Sequence, residues 1–166
     1  DFGFNEIFLF GIILNITAGL GAFFLGFLDD FIGGKKTIQI TNIGFVLACL
    51  LAAYAPSVSG NLSTDLTIGE LLFWISGCFI GIFSGPNQAA SRSLMGRLTP
   101  KNKENEFYGF FAFSGKATAF IGPLLFSTIV SITGNLQYGL IVVALLFLIG
   151  AFMLSKVDEK STNILR

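Results

Sequence analysis

Histidine is absent from all 166 residues, and only 12% of the chain is charged. The first absence removes the commonest general base and metal ligand. The second excludes an ordinary soluble domain, in which about a quarter of residues carry charge. Cysteine occurs twice, at Cys49 and Cys78, each inside an apolar stretch and with no CxxC spacing. Both read as small buried hydrophobes, not as metal or redox ligands, so no metal site and no cofactor are expected. Ten acids balance ten bases. Bulk charge therefore makes no case for nucleic acid, and none is expected among the partners. The first apolar run does not fit a signal-peptide pattern either, being too long and without a basic residue before it. The chain begins at Asp1 instead of Met, as a piece of a longer protein would.

What fills the sequence is apolar: 53% hydrophobic residues, 20 of them Phe, with a mean hydropathy of +0.77. A hydrocarbon core about 30 Å thick needs some 20 apolar residues at 1.5 Å rise each. Five runs approach that length, near Ile7–Leu28, Ile38–Tyr54, Ile68–Ser91, Phe107–Thr133 and Tyr138–Ser155. They are continuous, without the alternation of a barrel strand, so the expected fold is an all-α membrane protein of five transmembrane helices. Residues 1–157 form the membrane domain in this reading, and 158–166 a tail. The bilayer is the first partner.

The basic residues give the orientation. Lys35 and Lys36 follow the first span; Arg92, Arg97, Lys101 and Lys103 surround the turn after the third; Lys156, Lys160 and Arg166 follow the fifth. The other side carries Asp1, Glu6, Asp65 and Glu70. By the positive-inside rule the basic side, including the C-terminus, is cytoplasmic. The Asn61-Leu62-Ser63 sequon then lies in an outer loop.

Between the first two spans stands GFLDDFIGGKK, residues 26–36. A nucleotide-binding loop fails on spacing, since Lys36-Thr37 follows Lys35 where G-x-x-x-x-G-K-[ST] requires Gly. As a hairpin it makes sense: Gly26 and Gly33 permit close approach and positive φ, and Asp30 is placed to accept backbone N–H bonds at a helix start. The pattern G-x-L-x-D-x-x-G-x-K, formed by Gly26, Leu28, Asp30, Gly33 and Lys35, resembles the loop signature of the major facilitator superfamily. Phe31 and Gly34 stand where that signature has bases. Further along, SGPNQAASRSLMGRLTP and NEFYGFFAFSGKATAFIGPLLF are similar to the vacuole-effluxer-like branch of the superfamily, the autophagy-related and "unknown major facilitator" permeases.

The resemblance covers about residues 7–155. It implies that the five spans are the last of about twelve, and that the missing N-terminal half of the same transporter is a partner. It also implies that the loop, with Asp30 at its centre, acts as a conformational latch. A bacterial inner membrane is the expected location, with a vacuolar membrane as the alternative.

A substrate needs polar groups at depth. Lys116 lies about nine residues into the fourth span, ~13–15 Å from its end, where a lysine costs about 2.5–3.5 kcal/mol on insertion scales. Asn15 and Thr17 sit mid-way along the first span, Ser114 and Thr118 flank Lys116, and Asn87 and Gln88 share a face of the third span with Ser84 and Ser91. Each alone could be an interhelical hydrogen bond. As a set, Lys116, Asn15, Thr17, Ser114, Asn87 and Gln88 suit a substrate cavity, and a lone cation suits an anionic or zwitterionic small molecule.

The Gly85-Pro86 and Gly122-Pro123 pairs are candidate helix breaks or hinges. Gly11, Asn15, Gly19, Ala22 and Gly26 form a small-residue stripe suited to helix packing. The functional expectation is a secondary transporter of small metabolites, with amino acid efflux implied by the resemblance. The rival is a non-transporting membrane scaffold or sensor. With no histidine and no acid–base pair at one depth, there is no constellation for an enzyme.

Overall fold

A computed structural model describes residues 3–61 and 67–157. The expectations for Asp1, Asp65, Lys160, Arg166, most of the sequon and the tail lie outside the described residues. The chain is helical: α1 spans Phe4–Leu25, α2 Leu28–Ile32, α3 Gly34–Tyr54, α4 Ile68–Leu98, α5 Glu104–Thr133 and α6 Leu136–Ser155. A single 3-10 turn, Ala55–Ser57, extends α3. All but α2 are long and apolar enough to cross a bilayer, and they coincide with the five expected spans. The protein is a multi-pass membrane protein.

Local chemistry sets the helix ends. The Glu6 carboxylate accepts the Gly3 N–H at 2.7 Å where α1 begins. Thr67 and Glu70 cap α4 reciprocally: the Glu70 N–H donates to Thr67 Oγ1 at 3.2 Å and the Thr67 N–H to Glu70 Oε2 at 2.9 Å, so two orphan donors are satisfied at once. At its far end α4 runs seven residues past the sequence-based boundary. Arg92 and Arg97 lie on the helix, and it stops where Thr99 Oγ1 donates to the Met95 carbonyl at 2.7 Å, just before Pro100. Gly134, at φ 67°, ends α5 in the left-handed conformation, and Asn135 Oδ1 accepts the Gln137 N–H at 2.8 Å to start α6. Neither internal proline interrupts its helix: α4 continues through Pro86 and α5 through Pro123.

Neighbours follow the order α1–α4–α3–α6–α5, with only slight contact between α5 and α4. At the centre, α3 buries Thr37, Ile38, Thr41, Phe45, Ala48, Cys49 and Ala52 among others. Ile38 packs with Ala90 and Leu94, and Val46 and Cys49 pack with Ala144. Phe45 stacks on Phe147 with ring centres 4.7 Å apart. By contrast α5 buries no residue at all.

The α1–α4 contact is made by small residues. Gly77 lies against the Phe10 ring, Gly81 against Thr17 and the Leu14 carbonyl, and Gly85 against Ala18 and Ala22, while Gly21 of α1 meets the Ile82 backbone. At each of these positions an added Cβ would strike its neighbour. The spacing Gly77-x-x-x-Gly81-x-x-x-Gly85 is the small-xxx-small pattern that lets helix backbones approach in lipid. Of the stripe expected on α1, Ala22 joins this seam, whereas a Cβ added at Gly11 or Gly19 would meet nothing within 4 Å. Gly81→Val is expected to cost at least the ~1–3 kcal/mol of ordinary overpacking, because backbone and a short threonine, not a long flexible side chain, oppose it. Gly150→Ala, which meets nothing within 4 Å, should leave the protein unchanged. Thermal unfolding of the two variants followed by size-exclusion chromatography makes the comparison.

Candidate functional site

The turn between α1 and α3 is built as follows. Gly26 closes α1, its N–H donating to the Ala22 carbonyl at 3.0 Å, and an added Cβ would strike that carbonyl. Its φ is −59°, so it supplies close approach, and positive φ falls to Gly33 at 88°. The short α2 carries Asp29 and Asp30 to different surroundings. Asp29 is buried, and its Oδ2 lies 3.0 Å from Arg97 Nη2 of α4. Asp30 is exposed, and its carboxylate has no hydrogen-bond or ion-pair partner among the described residues. The acid that ties the turn to another helix is therefore the neighbour of the one the pattern marks.

Asp29 has a second property. Its Oδ1 is buried without a hydrogen-bond partner, a condition that costs about 1–3 kcal/mol for a polar atom. Gly34 adjoins it: a Cβ there would sit 3.0 Å from Asp29 Oδ1 and 3.2 Å from the Leu94 Cβ. This explains why a glycine stands where the superfamily pattern has a base, since the start of α3 is pressed onto α4 and leaves no room for a long side chain. Lys35 fastens the same turn to a third helix. Its Nζ donates to the Ser155 carbonyl at 2.9 Å and the Val157 carbonyl at 2.6 Å. Those are orphan acceptors at the C-terminal end of α6, where the helix dipole also favours a cation.

The expected cavity residues divide into two groups. Asn87 is engaged between helices: its Nδ2 donates to Thr41 Oγ1 at 2.7 Å and to Asn42 Oδ1 at 3.2 Å, joining α4 to α3. Thr17 is half-buried in the α1–α4 seam and donates to the Ile13 and Leu14 carbonyls at 2.9 and 3.0 Å. The others face outward. Asn15, Gln88, Ser114 and Lys116 are exposed, Asn15 Nδ2 donating to the Gly11 carbonyl at 2.8 Å and Ser114 Oγ to the Phe111 carbonyl at 2.9 Å within their own helices. Lys116 has no hydrogen-bond or ion-pair partner among the described residues. The structure does not join these six side chains into one cluster. No group of three His, Cys, Asp or Glu side chains among the described residues could hold a metal ion.

The profile of a family described as "Vacuole effluxer Atg22 like" matches residues 2–163. The chain belongs to that family. Among its relatives is the MFS-type transporter YxiO of Bacillus subtilis, 26% identical over 97% of this chain and 35% of that protein. Autophagy-related protein 22 of Cryptococcus neoformans is 26% identical over 92% of the chain and 29% of its own length. A sugar transporter, ERD6-like 15 of Arabidopsis thaliana, is 41% identical over 53% of the chain and 18% of its length. The chain thus spans about a third of the first two relatives. No solved structure matches it.

Within this vacuole-effluxer-like chain the sequence reading missed Asp29 and Arg97 as a pair. The available signal was the helical spacing of Leu94, Met95 and Leu98 with no breaker before Pro100, which extends α4 and carries Arg97 onto it. Because Arg97 is 37% exposed, solvent weakens the pair, and the damage from Arg97→Ala comes mainly from the carboxylate left behind. We expect a loss of about 1–3 kcal/mol, largely recovered in Asp29→Leu/Arg97→Leu, as a double-mutant thermal-melt cycle would read. Lys35→Met should instead accelerate hydrogen exchange in the last turn of α6 while leaving α1 unaffected.

Proposed function

We propose that this vacuole-effluxer-like chain forms part of a permease that moves a small metabolite by alternating access, with Lys116 facing the substrate path. The observation that carries the proposal is Lys116 itself: an unpartnered cation deep in an apolar span, on a helix that buries none of its residues against the other five. A lysine at that depth needs water or a counter-charge. In this reading both come from the substrate path, whose remaining wall is supplied by the rest of the transporter. Ser114 beside it, Asn15 and Gln88 are the further polar groups free to face that path. Thr17 and Asn87 act as packing residues, because their hydrogen bonds are already made within and between helices.

A lone cation favours a substrate with an anionic group. The family's description as effluxers supports export and the relatives named as transporters support transport in general; an amino acid as the cargo is the proposal's own step. The turn carrying Gly26, Asp30, Gly33 and Lys35 is the proposed latch. Asp29, Arg97 and Lys35 hold it in shape, and exposed Asp30 is left to engage the other half of the transporter. The positive-inside bias supports placing this turn, the α4–α5 turn and the C-terminus in the cytoplasm. A bacterial inner membrane or a vacuolar membrane accommodates such a protein.

The test uses the full-length protein in vesicles, with export of amino acids and other small anions measured for wild type and Lys116→Ala. Loss of one charge-assisted contact is expected to reduce transport about 10- to 100-fold. Cysteines at Asn15 and Ser114 should also react with a membrane-impermeant thiol reagent, with substrate protecting them. Unchanged transport of every candidate anion, with both cysteines unreactive, would favour a scaffold whose helices serve only to pack.

A further inference from the structure

The Gly85-Pro86 pair leaves a backbone oxygen of α4 in need of a partner. Proline has no N–H, so Pro86 deprives the carbonyl four residues back, that of Ile82, of its helical donor. Ile82 is the fifteenth of the 31 residues of α4. The unpaired oxygen therefore lies near the middle of the span, where hydrocarbon supplies no donor in its place. The hydroxyls along this stretch are committed elsewhere: Ser84 Oγ donates to the Ile80 carbonyl at 2.7 Å, and Thr17 Oγ1 donates to those of Ile13 and Leu14. No side chain among the described residues donates to the Ile82 carbonyl.

What covers that oxygen is Gly21. It is the one residue of α1 that is buried. A Cβ there would overlap the Ile82 oxygen and stand 2.7 Å from both the carbonyl carbon and the Cα of Ile82. The Cβ direction of a glycine is that of one of its two Cα hydrogens, so this hydrogen points at the freed oxygen. The contact is a Cα–H···O bond of the kind that recurs where helices meet. Elsewhere in the seam the sense is reversed, with Cβ positions on Gly81 and Gly85 falling 2.8 Å from the Leu14 and Ala18 carbonyls of α1. Those two carbonyls keep helical donors of their own, the N–H groups of Ala18 and Ala22. Of the three acceptors, Ile82 alone depends on the partner helix.

We infer that Pro86 is a lock between α1 and α4 and not a hinge. It creates an acceptor that only a glycine pressed against it can cover, and so fixes which turn of α1 lies against which turn of α4. A slip of one residue would turn Gly21 about 100° away and bring Leu20 or Ala22, each with a Cβ, against the Ile82 backbone. The two helices therefore keep their register and travel together through any change of shape in the whole protein. Pro86 is itself less than 2% exposed, as befits a part that is packed around on all sides. The lock is made wholly from contacts within this chain, and it requires the membrane placement and not transport.

Proton-detected solid-state NMR of the full-length protein in lipid reads the contact directly. In the wild type the two Cα hydrogens of Gly21 should resonate apart, the one facing Ile82 lying downfield. Pro86→Val keeps a side chain of similar bulk and restores the N–H, so the Ile82 carbonyl is bonded within α4 and the two signals should draw together. Pro123→Val makes the same change in α5 and should leave them apart. Thermal unfolding gives an independent reading: the fall in Tm of Gly21→Ala/Pro86→Val should be smaller than the sum of the two single falls. Should either variant fail to fold, the wild-type spectrum still decides. Coincident Gly21 signals in the wild type, a separation that survives Pro86→Val, or additive falls in Tm would each show a seam held by shape alone and overturn the lock.

Discussion

In hydrocarbon a leucine gains nothing by turning from lipid to another leucine, so helices are held by contact and hydrogen bonding instead of by escape from water. That constraint makes α4 the helix on which the others depend. Its Gly77, Gly81 and Gly85 admit α1 to backbone distance, and its Ala90 and Leu94 receive the start of α3. Asn87 gives α4 a polar link to Thr41 and Asn42 of α3, and Arg97 reaches the turn between α1 and α3. Four different kinds of contact thus succeed one another along one helix. The large apolar side chains left outside, Phe23, Phe24, Ile132 and Phe152 among them, are what a lipid-facing surface requires.

The polar residues within the spans are sorted by the same physics. A hydroxyl can return its proton to a carbonyl one turn back, as Thr17, Thr41, Ser114 and Thr118 do, so it needs no second helix. An amide has more donors than its own turn can absorb. Asn87 therefore reaches across to α3, while Asn15 satisfies one donor on the Gly11 carbonyl and stays exposed. A lysine can do neither within an apolar helix. Lys35 escapes by reaching the carbonyls at the end of α6, and Lys116, with no such helix end in reach, keeps its charge toward whatever lies beyond α5.

The spans were readable because length and hydropathy are local properties: α3, α4, α5 and α6 each share at least one end residue with the sequence-based boundary. Gly33 was also readable, since only a turn glycine accepts φ of 88° without strain. Partner choice was not. Asp29 and Asp30 are adjacent and chemically identical, and only the pitch of α2 decides which meets Arg97, 68 positions away in the chain. Asn87 taken alone suits an interhelical bond and taken with the set suits a cavity, and it is Thr41 and Asn42 opposite it that decide for the bond. The glycine repeat on α4 was visible at its spacing of four, but the small residues of α1 drew attention to a stripe of which only Ala22 enters the seam.

These fastenings are unevenly distributed. The α1–α3 turn is joined to α4 through Asp29 and to α6 through Lys35. At the opposite end of the bundle Gln137 Nε2 donates to Ser57 Oγ at 3.1 Å, joining α6 to the end of α3. So α1, α3, α4 and α6 are linked to one another by polar contacts at helix ends as well as by packing. The helix left out is α5, which meets α6 where Gly139 receives Phe126 and Val130 and touches α4 little beyond Tyr108 over Gly96. Because packed interfaces have discrete arrangements instead of yielding continuously, the four linked helices are suited to move as a unit. Among the five spanning helices, the one that carries Lys116 is the least held by the rest of this chain.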